Sequence, residues 1–141
     1  MAQQSVVDIA KASILTYNEK DWDGARKTLA SGVVYDELGT QRKIQGVEGV
    51  LEAWRGWAAA MPDSKATFDK AVATGNTVVL EITWRGTHEG PLKMPGKEIA
   101  ATGKKFEVRA CQVVEVANDK VQSVHHYFDM ATLLRQLGVE H

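Results

Sequence analysis

Residues 120–138, KVQSVHHYFDMATLLRQLG, join a strand to an amphipathic helix at Asp129. The first nine of these residues include valine, tyrosine and phenylalanine, which favour a strand. Apolar residues then recur at the spacing of a helix, at Met130, Leu133, Leu134 and Leu137. Aspartate is a preferred N-cap residue, so the closing helix is predicted to begin directly after Asp129.

Three further strands are predicted upstream of this junction. Residues 65–74, 77–88 and 104–117 alternate apolar and polar side chains with a period of two. Gly75-Asn76 and Asn118-Asp119 have the composition of tight hairpin turns. The connection over 89–103 is longer and carries several glycine and proline residues, which indicates a loop.

The N-terminal part of the chain is mainly helical. Apolar periodicity and capping residues predict helices over about 4–19 and 22–31, a short strand over 33–37, and a third helix between Gly46 and Pro62. The order α-α-β-α-β-β-β-β-α is typical of the α+β class. We expect a cone, in which a curved antiparallel sheet carries helices packed on its concave face and encloses a small-molecule pocket.

The composition excludes several classes of protein. A chain of 141 residues predicts a single domain spanning 1–141. The net charge of −1, without a basic run, argues against nucleic-acid and membrane-surface partners. No apolar stretch is long enough to span a membrane, and no signal-peptide segment is visible, so a cytoplasmic protein is expected. The single cysteine, Cys111, excludes a disulfide framework.

Alternation also predicts which side chains face the interior. In the strand over 77–88, Trp84 and His88 share the apolar face, so both are expected on the buried side. Arg109, in the following strand, fits either a cation in the pocket or a solvated residue. Trp54 in the third helix is expected in the core or in the wall of the pocket.

The last strand is ambiguous, because each of its two faces mixes apolar and polar residues. His125, Tyr127 and Asp129 share one face, and we take this set as the pocket face. His126 then points the other way, toward the surface or an interface. Adjacent histidines point apart in a strand, and no other histidine pair has metal-ligand spacing, so no metal site is expected.

Asp129 has two interpretations. It is either an N-cap alone, or a cap that also transfers protons. Capping bonds and a helix N-terminus both lower the pKa of a carboxyl group, which suits a base better than an acid. His88 is either a pocket residue or a loop anchor, and Asp36 fits a turn cap at the end of the first strand.

Three local patterns, together with the order of elements, resemble a known family. They are GTHEGP over 86–91 with MPGK over 94–97 and TGK over 102–104, the last strand ending at Asp129, and LRQLG over 134–138. The chain resembles the SnoaL-like polyketide cyclase branch of the NTF2-like superfamily. The resemblance covers nearly the whole chain.

This resemblance implies an activity. In cyclases of the family, an aspartate at the end of the last strand is the general acid/base of an intramolecular aldol ring closure, without metal or cofactor. That role falls on Asp129, and a pocket hydrogen-bonding role falls on His88. The chain departs from the family at His125, where tryptophan is common, and in the loop around Met94, which is rearranged. The additional imidazole makes the expected pocket more polar.

The first hypothesis is therefore a cofactor-independent enzyme acting on a small, apolar carbonyl compound. Asp129 removes a proton next to the carbonyl, and His88 or His125 donates to the developing enolate oxygen. The residues expected to bind substrate are Trp54, Trp84, Tyr127, Arg109 and Asp36.

Three alternatives remain. A ketosteroid isomerase-like enzyme places its base near Asp36, although Ile14 stands where its oxyanion-hole tyrosine is expected. An epoxide hydrolase-like enzyme uses Arg109 with Asp129 and Asp36. The third is a non-catalytic domain that binds a small molecule. Apolar residues on the outer faces of the last two strands further suggest a homodimer packed sheet to sheet, through Val113, Val124, Phe128 and His126.

Overall fold

The computed structural model describes residues 5–94 and 96–139. Residue 4, the predicted start of the first helix, and Pro95 of the MPGK loop lie outside the described residues. The elements are α1 Val6–Asn18, α2 Trp22–Thr28, β1 Leu29–Glu37, β2 Arg42–Gln45, α3 Val47–Ala60, β3 Lys65–Thr74, β4 Thr77–Thr87, β5 Leu92–Met94, β6 Lys97–Ile99, β7 Lys105–Ala117, β8 Lys120–Phe128 and α4 Met130–Gln136.

Six strands of the described chain form one curved sheet in the order β2-β1-β8-β7-β4-β3. Neighbouring strands are antiparallel, except that β1 and β8 run parallel. The C-terminal strand β8 therefore lies inside the sheet, between β1 and β7. The α+β class and the cone-shaped architecture predicted from the sequence are confirmed.

The boundaries differ from the predictions in two regions. The second helix ends at Thr28 and β1 begins at Leu29, so part of the predicted helix is strand. The predicted loop over 89–103 contains a small hairpin, β5 paired with β6, and β2 pairs with β1. These added strands have three or four residues each, which is too short for a period-two pattern to stand out.

Two hairpin turns follow the sequence prediction. Asn118 and Asp119 both have positive φ, 54° and 59°, which is the backbone of a type I′ turn. This turn joins β7 to β8. Gly75 also has a positive φ, 56°, and begins the turn between β3 and β4. Within the described residues, no helix is both long enough and apolar enough to cross a membrane.

A bulge in β8 changes which of its residues face inward. Ser123 pairs with Glu115, but Val121 pairs with Val116, so Gln122 is an extra residue without a matching partner. A bulge shifts the alternation of a strand by one residue. Val121 and Val124 are both buried as a result.

The expected orientation of the last strand was wrong for this reason. His126 is buried, with 6% of its surface exposed, and it lies on the inner face with Val124. His125 and Tyr127 lie on the outer face, where 47% of Tyr127 is exposed. Of the residues predicted for a dimer surface, Val124, His126 and Phe128 therefore face inward.

The buried side chains form two clusters. The larger one joins α1 and α3 to the inner face of the sheet and includes Ile9, Ile14, Leu51, Leu80 and Val114. The smaller one joins α4 and the β5–β6 hairpin to the start of β7 and includes Met61, Leu92, Ile99, Phe106 and Leu134. A cavity lies where the two clusters meet.

Candidate active site

The cavity is lined mainly by aromatic and aliphatic side chains. Its volume is about 80 Å³ for the centres of water-sized molecules, which is several times the space that one water needs. The polar atoms in its wall come from few residues, so their arrangement determines which chemistry is possible. The lining residues are Ser13, Ile14, Tyr17, Tyr35, Trp54, Trp57, Met61, Ser64, Trp84, Phe106, Val108, Gln112, His126, Phe128 and Leu133.

His126 lies between two other polar groups of the wall. Its Nδ1 is 2.8 Å from the hydroxyl of Tyr35, on the neighbouring strand β1. Its Nε2 is 3.2 Å from the indole nitrogen of Trp84, on β4. Both ring nitrogens are therefore hydrogen-bonded, and three strands of the sheet hold the imidazole.

Tyr35 connects His126 to a buried carboxylate. The Tyr35 hydroxyl donates to Oε2 of Glu37 at 3.0 Å. The indole of Trp57 donates to the same oxygen at 2.9 Å, and Arg42 donates to Oε1 through Nη2 at 2.7 Å. The side chain of Glu37 is fully buried, so these donors replace the water that an exposed carboxylate would have.

Glu37 remains ionised in this environment. Burial alone would raise the pKa of Glu37, but hydrogen bonds from Thr40, Arg42 and Trp57 outweigh burial and hold this pKa below its usual value. The site therefore contains a fixed negative charge behind Tyr35. Burial and this charge in turn raise the pKa of Tyr35 well above its usual value, so its hydroxyl keeps its proton.

The directions of these bonds determine the tautomer of His126. The indole of Trp84 can only donate, so Nε2 of His126 is the acceptor. The Tyr35 hydroxyl gives its proton to Glu37, so its oxygen accepts from Nδ1–H of His126. Both ends of the network thus assign the same neutral tautomer, with the proton on Nδ1 and a lone pair on Nε2.

His126 is neutral at physiological pH. Desolvation lowers its pKa to about 4, although the charge of Glu37 acts in the opposite direction. His126 lines the cavity, and a neutral imidazole with a lone pair on Nε2 is a hydrogen-bond acceptor and a proton acceptor.

A second polar pair lies in the wall on α1 and the loop after α3. The hydroxyl of Tyr17 is 2.6 Å from that of Ser64. Burial raises the pKa of Tyr17 to about 12, and the bond with Ser64 reduces this effect. Tyr17 therefore stays protonated and is a potential donor to an oxygen in the cavity. Tyr17 lies one helical turn after Ile14, the position where a ketosteroid isomerase-like enzyme is expected to carry its oxyanion-hole tyrosine.

Of the residues predicted to bind substrate, Trp54 and Trp84 line the cavity. Trp54 packs edge-on against Tyr35, with ring centroids 5.8 Å apart. The other predicted residues, Tyr127, Arg109 and Asp36, are not part of the cavity wall.

Asp129 is an N-cap outside the cavity wall. Its carboxylate accepts from the backbone N–H of Ala131 at 3.0 Å and from the hydroxyl of Thr132 at 2.7 Å. The bond from Thr132 lowers the pKa of Asp129, and the side chain is exposed. Of the two interpretations given from the sequence, the geometry shows the cap and does not bring this carboxylate to the cavity.

His88 is buried away from the cavity wall. It has no exposed surface, and its Nδ1 lies 3.1 Å from the hydroxyl of Thr102. Its backbone bonds with Lys104 and Gly103 tie the end of β4 to the start of β7. Burial lowers the pKa of His88. Of the two roles expected for it, this is the loop anchor.

The remaining candidates lie on the outer face of the sheet. His125 and Asp36 are register partners on β8 and β1, with Nε2 and Oδ2 3.8 Å apart. Arg109 and Tyr127 are exposed on β7 and β8. A ketosteroid isomerase-like base at Asp36 and an epoxide hydrolase-like set of Arg109, Asp36 and Asp129 are therefore not assembled in the cavity.

Sequence reasoning missed His126, Glu37, Tyr35 and Tyr17. Tyr35 and Glu37 alternate with Asp36 along β1, so period two could have placed them inside once one inward residue of that strand was known. To predict that His126 faces inward, one would have to know of the bulge in β8. Among the described residues, no three His, Cys, Asp or Glu side chains converge in a way that could hold a metal ion.

A family model, that of the SnoaL-like polyketide cyclases, matches residues 7–137. The chain belongs to the SnoaL-like polyketide cyclase family. The resemblance read from the glycine- and histidine-containing motifs is therefore confirmed, over nearly the full length of the chain. A search of curated proteins finds no match.

Solved structures share the fold of this SnoaL-like chain. IdmH from Streptomyces antibioticus is 26% identical, with a TM-score of 0.81 over 96% of this chain and 100% of that one. TsrD from Streptomyces laurentii is 25% identical, with a TM-score of 0.81 over 99% and 100%. A protein of ketosteroid isomerase-like fold from Catenulispora acidiphila is 16% identical, with a TM-score of 0.79 over 94% of each chain, and shows the fold alone.

Proposed function

We propose that this protein is a cofactor-independent enzyme of the cyclase or isomerase type, acting on a small, apolar carbonyl compound in the cavity. The observation that carries the proposal is His126, a neutral buried imidazole in a mainly apolar wall. Family membership supports the reaction class. In this proposal the proton-transfer role moves from Asp129 to His126.

The chemistry begins with proton transfer from carbon to nitrogen. The C–H bond next to the carbonyl breaks, the proton goes to Nε2 of His126, and the electron pair moves onto the carbonyl oxygen as an enolate. For this proton transfer, the substrate displaces the indole N–H of Trp84 from Nε2 of His126. The released indole N–H and the hydroxyl of Tyr17 are then donors for the enolate oxygen.

The reaction is completed within the substrate. In an aldol ring closure, the enolate carbon attacks a second carbonyl carbon, and His126 returns its proton to the new alkoxide. In an isomerisation, His126 returns the proton to another carbon. Neither course needs an oxidant or a reductant. The imidazolium formed in between carries its charge next to Tyr35, with ionised Glu37 behind it.

The apolar wall supports this role. Water competes for protons and weakens hydrogen bonds to an enolate, so exclusion of water strengthens the donors in the cavity. The aromatic residues Trp54, Trp57 and Phe128 form much of that wall. They suit a substrate that is largely hydrocarbon, with its carbonyl directed toward Trp84 and Tyr17.

The experiment measures the first step directly. 2-Tetralone, an apolar ketone with acidic C–H groups, is incubated with the protein in D₂O, and loss of its proton signals is followed by NMR. We expect exchange above the buffer rate for the wild type and a loss of at least about 100-fold for His126→Gln, the usual contribution of a general base. The matched control is His125→Gln on the outer face, which should exchange as the wild type does.

The result also separates catalysis from binding. If 2-tetralone binds in the cavity but exchanges at the buffer rate, the alternative of a non-catalytic small-molecule-binding domain is favoured for this compound class. If His126→Gln exchanges as fast as the wild type, the assignment of the base is wrong.

A further inference from the structure

We infer that Glu37 is a positioning residue that acts through Tyr35 to keep the proton of His126 on Nδ1 and the lone pair on Nε2. This inference rests on the proposed function for its catalytic meaning. Its structural part, the tautomer, can be measured without any substrate.

The first argument is the direction of the Tyr35 hydroxyl. A hydroxyl has one proton, and an ionised carboxylate attracts it more strongly than a neutral imidazole nitrogen does. Because Glu37 takes this proton at 3.0 Å, the Tyr35 oxygen presents only lone pairs to His126. Nδ1 must then carry the proton to form its 2.8 Å bond.

The second argument is the arrangement around Glu37. Its Oε1 is bound by Arg42 from one side, and its Oε2 is shared between Tyr35 and Trp57. An ion pair with Arg42 alone would leave Oε2 buried and without a donor. The carboxylate thus bridges the cation of Arg42 and the wall of the cavity, and its orientation is determined at both oxygens.

The third argument concerns charge. When His126 takes a proton, an imidazolium forms in a buried site, where an uncompensated charge is costly. The titratable groups that face it through the network are Tyr35 and Glu37 on β1, with Arg42 on β2 behind Glu37, and Tyr17 lies in the cavity wall on α1. Of these, Glu37 carries the negative charge that favours the protonated ring.

Trp84 must be removed to test the inference, because its indole favours the same tautomer from the other side. We therefore compare three proteins by ¹⁵N NMR of the histidine rings: wild type, Trp84→Phe, and Trp84→Phe combined with Glu37→Gln. A free histidine side chain prefers the Nε2–H tautomer. We expect Nδ1–H in the wild type and in Trp84→Phe, and a shift to mostly Nε2–H in the double variant.

Two further variants keep the test decisive if Glu37→Gln impairs folding. Trp84→Phe with Tyr35→Phe removes the connection but leaves Glu37 bound to Arg42 and Trp57, and it should show the same shift of tautomer. Trp84→Phe with Glu48→Gln is the control, because Glu48 pairs with Arg26 on the surface. An unchanged Nδ1–H tautomer in the two relay variants would overturn the inference.

Kinetics provide a readout that a merely structural role would not give. In the 2-tetralone exchange assay, Glu37→Gln should lower kcat by at least about 10-fold with little change in KM, since the charge acts on the imidazolium and not on the bound ketone. The inference is contradicted if Glu37→Gln raises KM by the same factor by which it lowers kcat, or if kcat does not fall. If the tautomer shifts as expected and the wild type shows no exchange, the proposed function fails and the positioning role of Glu37 stands.

Discussion

The indole nitrogen of Trp84 lies 3.2 Å from Nε2 of His126, and this bond occupies the one lone pair of the neutral imidazole. At 3.2 Å it is at the long end of the range for N–H donors. A ligand with its own donor or acidic C–H group can therefore replace the indole at moderate cost. Ligand binding then changes the hydrogen-bond partner of a single N–H group, that of the Trp84 indole.

The Trp84 indole should report ligand binding. In ¹H–¹⁵N spectra, we expect the indole N–H signal of Trp84 to move on titration with 2-tetralone, because this N–H loses His126 and turns toward the ligand. The indole of Trp57 should move less, since it is bonded to Glu37. Trp22, which is not part of the cavity wall, is the control. Equal shifts for Trp22 and Trp84 would argue against binding at this site.

Stability should decrease in mild acid because of His126. The folded-state pKa of about 4 lies below the usual 6.5, so the unfolded chain binds a proton that the folded chain excludes. This contribution is fully present above pH 6.5 and is lost progressively as the pH falls toward 4. At pH 5 the loss amounts to about 2 kcal/mol.

Urea unfolding at pH 7.5 and pH 5 measures this effect. His126→Gln should show a smaller decrease between the two pH values than the wild type, by about the same 2 kcal/mol. His88 also titrates below its usual pKa and contributes in the same direction. The His88→Gln variant should therefore keep most of the pH dependence, and it would lose most of it if His88 were the dominant group.

The pH dependence of exchange should identify the base. The neutral imidazole is the active form, so the enzyme-dependent rate should be flat from about pH 6 to 8 and should fall only as the pH approaches 4. The measurement is 2-tetralone exchange after subtraction of the buffer rate at each pH. A midpoint between 5 and 8 would contradict the assignment of His126 as the base.

Asp129 should matter for stability and not for chemistry. Asp129→Asn keeps an N-cap acceptor for Ala131, so melting and exchange should both match the wild type. Asp129→Ala removes the cap and should lower the melting temperature with the exchange rate unchanged. Loss of exchange in Asp129→Asn with an unchanged melting temperature would restore the aspartate of the family mechanism as the base.

We propose that the outer face of the sheet forms a homodimer. Val124 and Phe128 face inward, so they are not part of this surface. On the outer face, Tyr127 is 47% exposed next to its register partner Cys111, with Val113 beside them. Sedimentation equilibrium should give twice the chain mass, and Tyr127→Glu should give the monomer. Arg109→Gln on the same face controls for a general change of charge, and a monomeric wild type contradicts the proposal.

The parts of the fold that depend on local pattern could be predicted from the sequence. In β4, Trp84 shares the inward face with buried Leu80 and lines the cavity, as alternation predicts. In β7, Val108 and Val114 share one face and are both buried. The cap at Asp129 is also a local signal. These features need only the spacing of residues along one element.

The candidate site depends on the bulge in β8 and on contacts between elements, which the spacing of residues along one element does not show. The extra residue Gln122 moves His126 into the cavity, and nothing in the composition of β8 marks it as a bulge. Nothing in the sequence marks Glu37 as buried, because the groups that compensate its burial, Arg42 and Trp57, lie on other elements. The family resemblance assigned the acid/base role to Asp129, which is the N-cap of α4, whereas the base proposed from the cavity geometry is His126, three residues earlier on β8.

The parallel pairing of β1 with β8 has a consequence for folding. Tyr35 and His126 are 91 positions apart in the chain, and contacts of such high sequence separation form late, after the loop between them has closed. The other five strands of the sheet precede β8 in the chain, so they are synthesised before it. A chain without β8 can therefore form the β3–β4 hairpin and the N-terminal helices while still lacking the strand between β1 and β7. The network around His126 forms only once β8 has paired with β1, so completion of the sheet and formation of the candidate site coincide.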